Sequence, residues 1–209
     1  MASSTNANPT RYGPGNGAGN NDHIVRFYDD DASLISEWAD YIGTALSCGS
    51  SVIAVVTLPH ILALASRLDS FGVDLARATA EGRYTAVDAS ELASRFVKGG
   101  KLNETETRLA AIDMLSRASR ASQEDDHRVL VFGEIVALLW ASGRGVAAIE
   151  LETLWNTLQK SYSFTLRCAY PAGGFWHIDH QQPFLEICAQ HSKVTMDTTP
   201  GPFAGLRIA

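Results

Sequence analysis

Hydrophobic positions along this chain alternate between short continuous runs and longer stretches spaced at about 3.6 residues. Ile24–Tyr28, inside HIVRFYDDD, is the first run and reads as a buried strand ending in an acidic turn. Leu34, Ile35, Trp38, Tyr41, Ile42, Ala45 and Leu46 then recur at helical spacing, with Asp30 or Asp31 as cap and Gly49 as stop. Ser51–Thr57 is an apolar, β-branched run of the kind found in strands covered on both faces. Pro59 opens a second helix, where its missing N–H costs nothing. Leu62, Ala65 and Leu68 are expected to line the core face of that helix, and Gly72 to end it.

Arg83–Asp88 reads as a shorter strand, followed by a helix through Leu92, Phe96 and Val97 that Gly99–Gly100 breaks. Asn103-x-x-Glu106 resembles a capping box, and Leu109, Ile112 and Leu115 mark the helix it begins. Arg128–Gly133 is another apolar strand with Glu134 at its exit. Ile135–Trp140 predicts a short buried helix ended by Gly143-Arg144-Gly145. Val146–Ser161 predicts a longer one, built on Ile149, Leu154, Trp155 and Leu158. Phe164–Tyr170 is a fifth strand and Phe184–Gln190 a last helix. Strands separated by helices require crossover connections, so the expected class is α/β: a three-layer domain whose mainly parallel sheet, of about five or more strands, is covered by helices on both faces.

Composition adjusts the ends of this picture and excludes some partners. Residues Met1–Asn21 are rich in Ser, Asn, Gly, Pro and Thr and are expected to form a disordered tail. Residues 22–194 then form one folded domain, and Thr195–Ala209 reads as a loose tail. A net charge of −6 over 209 residues argues against nonspecific binding to nucleic acid or to an anionic membrane. No apolar run approaches the ~20 residues of a membrane span, and MASSTNANPT has no signal-peptide pattern. With three cysteines in no small-scaffold pattern, a reducing cytoplasmic location is expected.

A parallel sheet gathers its strand exits along one edge, where ligands usually bind. The groups expected there are Tyr28 with Asp29–Asp31, Thr57 and His60, Asp88, Glu134 and Tyr170, with Trp140 as a wall of an apolar pocket. Asp30, Asp31 and Asp88 have an alternative use as helix caps. Glu134 stands between two apolar stretches and should be partly buried, which demands a partner or a raised pKa. YDDDASLI lacks the glycines and lysine of a phosphate-binding loop, so ATP hydrolysis is not expected. A receiver-type phospho-acceptor is also disfavoured, because Cys168-Ala-Tyr-Pro171 supplies no lysine. His177-x-x-His180 and Cys188-x-x-His191 have spacings compatible with Zn²⁺, yet the paired CxxC pattern is missing. No metal or cofactor is therefore expected; Cys188 then belongs to the core and His191 to a polar helix end.

HIVRFYDDDASL, VIAVVT with Pro59-His60, EGRYTAVDA, FGEIVALLW, IELETLWNTL, FTLRCAYP and ICAQHSKV follow one another in this order. Together they resemble the MEDS domain, a sensory domain of methanogens and methylotrophs found also in many other bacteria. The resemblance covers about His23–Val194. It implies a fold similar in outline to RecA/KaiC-like ATPase domains without their phosphate loop, and it implies sensing of small hydrocarbon derivatives rather than catalysis. Tyr28, Asp29, Asp30, Glu134, Trp155, Asn156, Tyr170 and His191 match positions typical of the family. Such domains are commonly joined to histidine kinases or DNA-binding modules. No such module is legible here, so the expectation is a stand-alone domain acting in trans on a kinase, an anti-sigma factor or a transcriptional regulator. The rival expectations are a ligand-free docking module and a Mg²⁺-dependent hydrolase using Asp29, Asp30, Asp88 and Glu134.

Overall fold

Parallel pairing organises the chain. The computed structural model describes residues 21–125, 128–174 and 181–197. Its strands are β1 (His23–Tyr28), β2 (Ser51–Val56), β3 (Tyr84–Asp88), β4 (Val97–Lys98), β5 (Lys101–Leu102), β6 (Val129–Gly133), β7 (Thr165–Pro171) and β8 (Lys193–Met196). Six of them form one sheet in the order β3-β2-β6-β7-β1-β8, with every pairing parallel, as in a RecA-like fold. The short β4 and β5 pair antiparallel as a separate hairpin across Gly99–Gly100, where the sequence suggested only a helix break.

Helices cover both faces. On one side lie α1 (Asp31–Cys48), α2 (Leu58–Ser70) and α3 (Leu75–Ala80), packed on Val52, Ala54, Val56, Phe132 and Ala169. On the other lie α4 (Ala89–Phe96), α5 (Glu104–Ala121), α6 (Ile135–Ala141), α7 (Gly145–Gln159) and α8 (Gln181–Ala189), packed on Ile53, Val55, Val131, Leu166 and Tyr170. Alternate strand residues therefore feed two separate cores, which is why the strands read as continuous apolar runs.

Several expected local signals hold. Asp30 caps α1 by accepting the Ser33 amide at 2.8 Å. Gly49 ends α1 at φ 95°, donating its N–H to the last helical carbonyls. Asn103 caps α5, and its own side-chain amide donates back to Glu106.

Two helix faces differ from the expectation. In α2 the buried positions are His60, Leu64 and Leu68, while Leu62 is 64% exposed. In α5 they are Thr107, Ala111, Leu115 and Ala118, while Leu109 is 63% exposed. Both helices carry more than one plausible stripe. The winning stripe in α5 uses small residues, which let the helix approach its neighbours closely.

The C-terminal boundary also needs correction, because Thr195 and Met196 are not part of a loose tail. They lie in β8, the edge strand beside β1, and the Asp197 amide donates to the Phe27 carbonyl at 3.1 Å. Arg26 is the anchor: its guanidinium reaches Asp197 at 2.9 Å and Ser33 at 2.9 Å, and pairs with Glu37. A sheet edge gains stability from such a cross-link because half of its ladder is unpaired. Arg26→Ala is expected to destabilise the domain by roughly 1–3 kcal/mol, with hydrogen exchange rising first in Lys193–Met196.

Candidate functional site

The exits of β1, β2 and β6 bring together Tyr28, Asp31, Thr57, His60 and Glu134. Glu134 ends its strand with its backbone N–H donated to the Val55 carbonyl, which turns the carboxylate toward β2. The Thr57 amide donates to Glu134 Oε2 at 2.8 Å, and His60 Nδ1 pairs with Oε1. His60 stands in the first turn of α2, and its Nε2 faces Asp31 Oδ1 at 3.6 Å. Glu134 is nearly inaccessible (3% of its side chain), whereas Asp31 is 72% exposed, so the chain of groups runs from core to solvent. Burial, Glu134 and Asp31 together push the Tyr28 phenol well above its ordinary value, which keeps it a neutral hydroxyl.

The hydrogen bond to Glu134 raises the His60 pKa above 6.5, overcoming the opposing effect of burial, and the charges of Glu134 and Asp31 add to the rise. The imidazolium is thus favoured in the folded state. Its contribution is full below the unfolded value near 6.5 and is lost as pH rises through the raised folded value. Melting temperature measured against pH is expected to decline across that window relative to Glu134→Gln, which removes the charge holding His60.

The remaining expected ligand groups are placed differently. Asp30 caps α1, and Asp88 caps α4 by accepting the Ser90 amide at 2.8 Å. The Asp29 amide donates to the Asp197 carboxylate at 3.2 Å. Trp140 is half-buried against Gly145, where an added Cβ would meet its ring at 2.8 Å. Tyr170 does not join the edge group; it is buried and donates its hydroxyl to Glu152 Oε1 at 2.9 Å. A surface groove of about 280 Å³, lined by residues such as Leu102, Arg108, Ile149 and Leu154, contains none of the strand-exit groups.

Glu152 is the centre of a second polar cluster, on the opposite face of the sheet. Register places His23, Val25 and Phe27 opposite Leu166, Cys168 and Tyr170, so these six share one face beneath α7 and α8. His23 Nε2 lies 3.1 Å from Glu152 Oε2, and His191 Nε2 lies 3.5 Å from Oε1. The Cys168 thiol is 3.7 Å from Glu152 and 3.5 Å from His23 Nε2. Asn156 accepts from His23 Nδ1 at 2.9 Å, and its own amide donates to the Gln190 carbonyl at 2.8 Å. Burial pushes the Glu152 carboxyl up, but His191, His23 and the Tyr170 hydroxyl outweigh it and hold the group below its usual value. Burial also holds the His191 imidazole below its usual value and drives the Cys168 thiol well up.

His23, Glu152, Cys168 and His191 present donor atoms all within 4.8 Å of one another. Among the described residues this is the one group of three or more His, Cys, Asp or Glu donors that converges. Asp29, Asp30, Asp88 and Glu134 do not form such a group. The residues whose spacing was compatible with Zn²⁺ are also redistributed. His191 joins the cluster, Cys188 is a buried thiol pushed up to about 11 by burial, and His177 and His180 lie outside the described residues. Glu152 left a signal in the sequence, since a carboxylate beside Leu151 and three residues before Trp155 sits on the apolar stripe of α7. Asn156, Tyr170 and His191, matched by family resemblance, all belong to this cluster.

Among the described residues, no helix is long and apolar enough to cross a membrane. No curated protein is similar enough to match. A family model described as the methanogen/methylotroph, DcmR sensory domain matches residues 22–177, most of the chain. With the RecA-like sheet and the acidic first turn, this match makes the chain a member of the MEDS sensory-domain family.

Proposed function

We propose that this MEDS domain senses a small neutral or cationic polar organic molecule at the carboxyl edge of its sheet, without catalysing a reaction. The observation that carries this reading is the run of Glu134, His60 and Asp31 from buried to exposed positions, with Tyr28 beside them. His60 offers a ring N–H, Tyr28 a hydroxyl, and Asp31 an acceptor with a negative charge. That set suits an alcohol or an amine and repels phosphate. Asp30 and Asp88, engaged as caps, leave little carboxylate chemistry for a hydrolase.

Asp31 is the first residue of α1 and His60 lies in the first turn of α2, so a molecule held between them fixes one helix against the other. Signalling then needs only that the ligand bind one arrangement of α1 and α2 better than another. The partner that reads this arrangement is of the histidine kinase, anti-sigma or transcriptional-regulator class, following the expectation from family resemblance.

Thermal shift of the full chain against small alcohols, diols, amines and nucleotides tests the site. A true ligand at about 100 times its Kd adds roughly 2.7 kcal/mol of stability, a rise of about 5–10 °C. The rise is expected to vanish in His60→Ala and in Asp31→Asn. Stabilisation by nucleotides, or an organic-ligand shift that survives both substitutions, overturns the proposal. No shift with any compound also overturns it, in favour of the docking module.

A further inference from the structure

We propose that the buried cluster beneath α7 and α8 is a structural site for a divalent transition-metal ion of the Zn²⁺ class, ligated by His23, Glu152, Cys168 and His191. The argument begins with which ring nitrogens carry protons. His191 Nδ1 lies 2.7 Å from the Ile187 carbonyl, which can only accept, so Nδ1 carries the hydrogen. Asn156 donates from its amide nitrogen to the Gln190 carbonyl and to Gln190 Oε1, which fixes its own oxygen as the atom facing His23 Nδ1. His23 Nδ1 is therefore also a donor. In the neutral rings, both Nε2 atoms then present lone pairs to the same carboxylate.

That arrangement is unfavourable when nothing lies between the groups. His191 Nε2 is a buried nitrogen without a hydrogen-bond partner, 3.5 Å from Glu152 Oε1, and both side chains are wholly inaccessible. A cation placed between them turns the repulsion into ligation. Metal-bound histidines characteristically donate their second ring N–H to a carbonyl or carboxylate, as both do here. The spacing also fits. Bonds of about 2.0–2.1 Å to nitrogen or oxygen and about 2.3 Å to sulfur give a tetrahedron with donor–donor edges of roughly 3.3–3.6 Å. His23 Nε2–Glu152 Oε2 at 3.1 Å, His23 Nε2–Cys168 Sγ at 3.5 Å and Cys168 Sγ–Glu152 Oε2 at 3.7 Å lie close to those edges. His191 Nε2 is 3.5 Å from the other carboxylate oxygen, and one donor atom from each of the four residues lies within 4.8 Å of the rest.

Two imidazoles, one thiol and one carboxylate match the borderline-soft preference of Zn²⁺ rather than the oxygen ligands sought by Mg²⁺ or Ca²⁺. Four protein donors in a closed, buried site mark a structural role, with no open position for a substrate. The ion would join β1, β7, α7 and the turn before β8, and so tie the C-terminal edge strand to the sheet. Binding releases the Cys168 thiol proton to solvent. The rival occupant is a single proton shared between the histidines and Glu152.

The test uses the full chain, purified without a histidine tag under reducing, oxygen-free conditions. Elemental analysis is expected to find about one Zn²⁺ per chain, or the apoprotein to take up one equivalent and rise in Tm. Substitution with Co²⁺ should give tetrahedral d–d bands and a thiolate-to-metal charge-transfer band. Cys168→Ser is expected to abolish the charge-transfer band and Cys188→Ser to leave it intact. Asn156→Leu, which frees His23 to rotate, should weaken metal affinity roughly 10–100-fold, a readout that holds even if Cys168→Ser does not fold. Any of the following would overturn the site: no metal uptake and no metal-dependent Tm rise, a charge-transfer band retained in Cys168→Ser, or loss of the band in Cys188→Ser. Imidazolium ring-nitrogen NMR signals for His23 or His191 that persist after one equivalent of Zn²⁺ is added also overturn it, in favour of the proton.

Discussion

Glu152→Ala is expected to destabilise the domain by about 3–5 kcal/mol, lowering Tm by roughly 6–20 °C. Glu152 is wholly buried, yet it accepts the Tyr170 hydroxyl and stands against His23, His191 and the Cys168 thiol. Truncation leaves those polar groups facing a void they cannot fill, and an unpaired buried polar group costs more than its hydrogen bond contributed. Glu152→Gln keeps the volume and an acceptor for Tyr170, so its loss is expected to be smaller. Chemical denaturation with both variants separates the two contributions; equal losses would show that the negative charge, not volume or acceptor, dominates. The position is expected to be sensitive because it joins α7 to two interior strands of the sheet, β1 and β7.

Trp38→Ala is the second large effect, also about 3–5 kcal/mol. Trp38 is 1% exposed on α1 and meets Phe132 of β6 edge-on, with ring centroids 5.2 Å apart. Removing the indole opens a cavity in the core that α1 and α2 share with this face of the sheet, and forfeits an aromatic pair worth about 0.5–1.5 kcal/mol beyond its area. Trp38→Phe, which fills most of that volume, should recover much of the loss in the same denaturation experiment. Because α1 carries Asp31, Trp38→Ala is also expected to weaken any ligand response at the strand exits. A destabilisation below about 1 kcal/mol would mean that the helix can collapse onto the sheet.

The two polar clusters were legible to different degrees. Glu134 and His60 were visible because an ionisable residue immediately after an apolar strand has one place to go, the sheet edge. Asp30 and Asp88 looked identical to ligand groups, since an aspartate after a strand serves equally as cap or ligand, and only the hydrogen bonds from the Ser33 and Ser90 amides show the capping role. The Glu152 cluster was nearly invisible. Its members lie at positions 23, 152, 168 and 191, and no local spacing connects them. The family resemblance pointed to Asn156, Tyr170 and His191 without saying that they meet.

By itself, the sequence determined the α/β class, the order of most elements and the absence of a phosphate loop. These follow from local physics: apolar runs that suit doubly covered strands, caps at helix starts, and aspartates where phosphate would need glycines and a lysine. The tertiary structure alone decided which stripe of α2 and α5 faces inward, because Leu62 or Leu64 satisfies the same helical period. It also decided that Lys193–Met196 completes the sheet, since a four-residue edge strand has no signal apart from the neighbour it pairs with and the Arg26 that holds it. The gathering of His23, Glu152, Cys168 and His191 has the same origin. Strand register and crossover packing bring distant residues within a few ångströms, and no pattern confined to one segment carries that information.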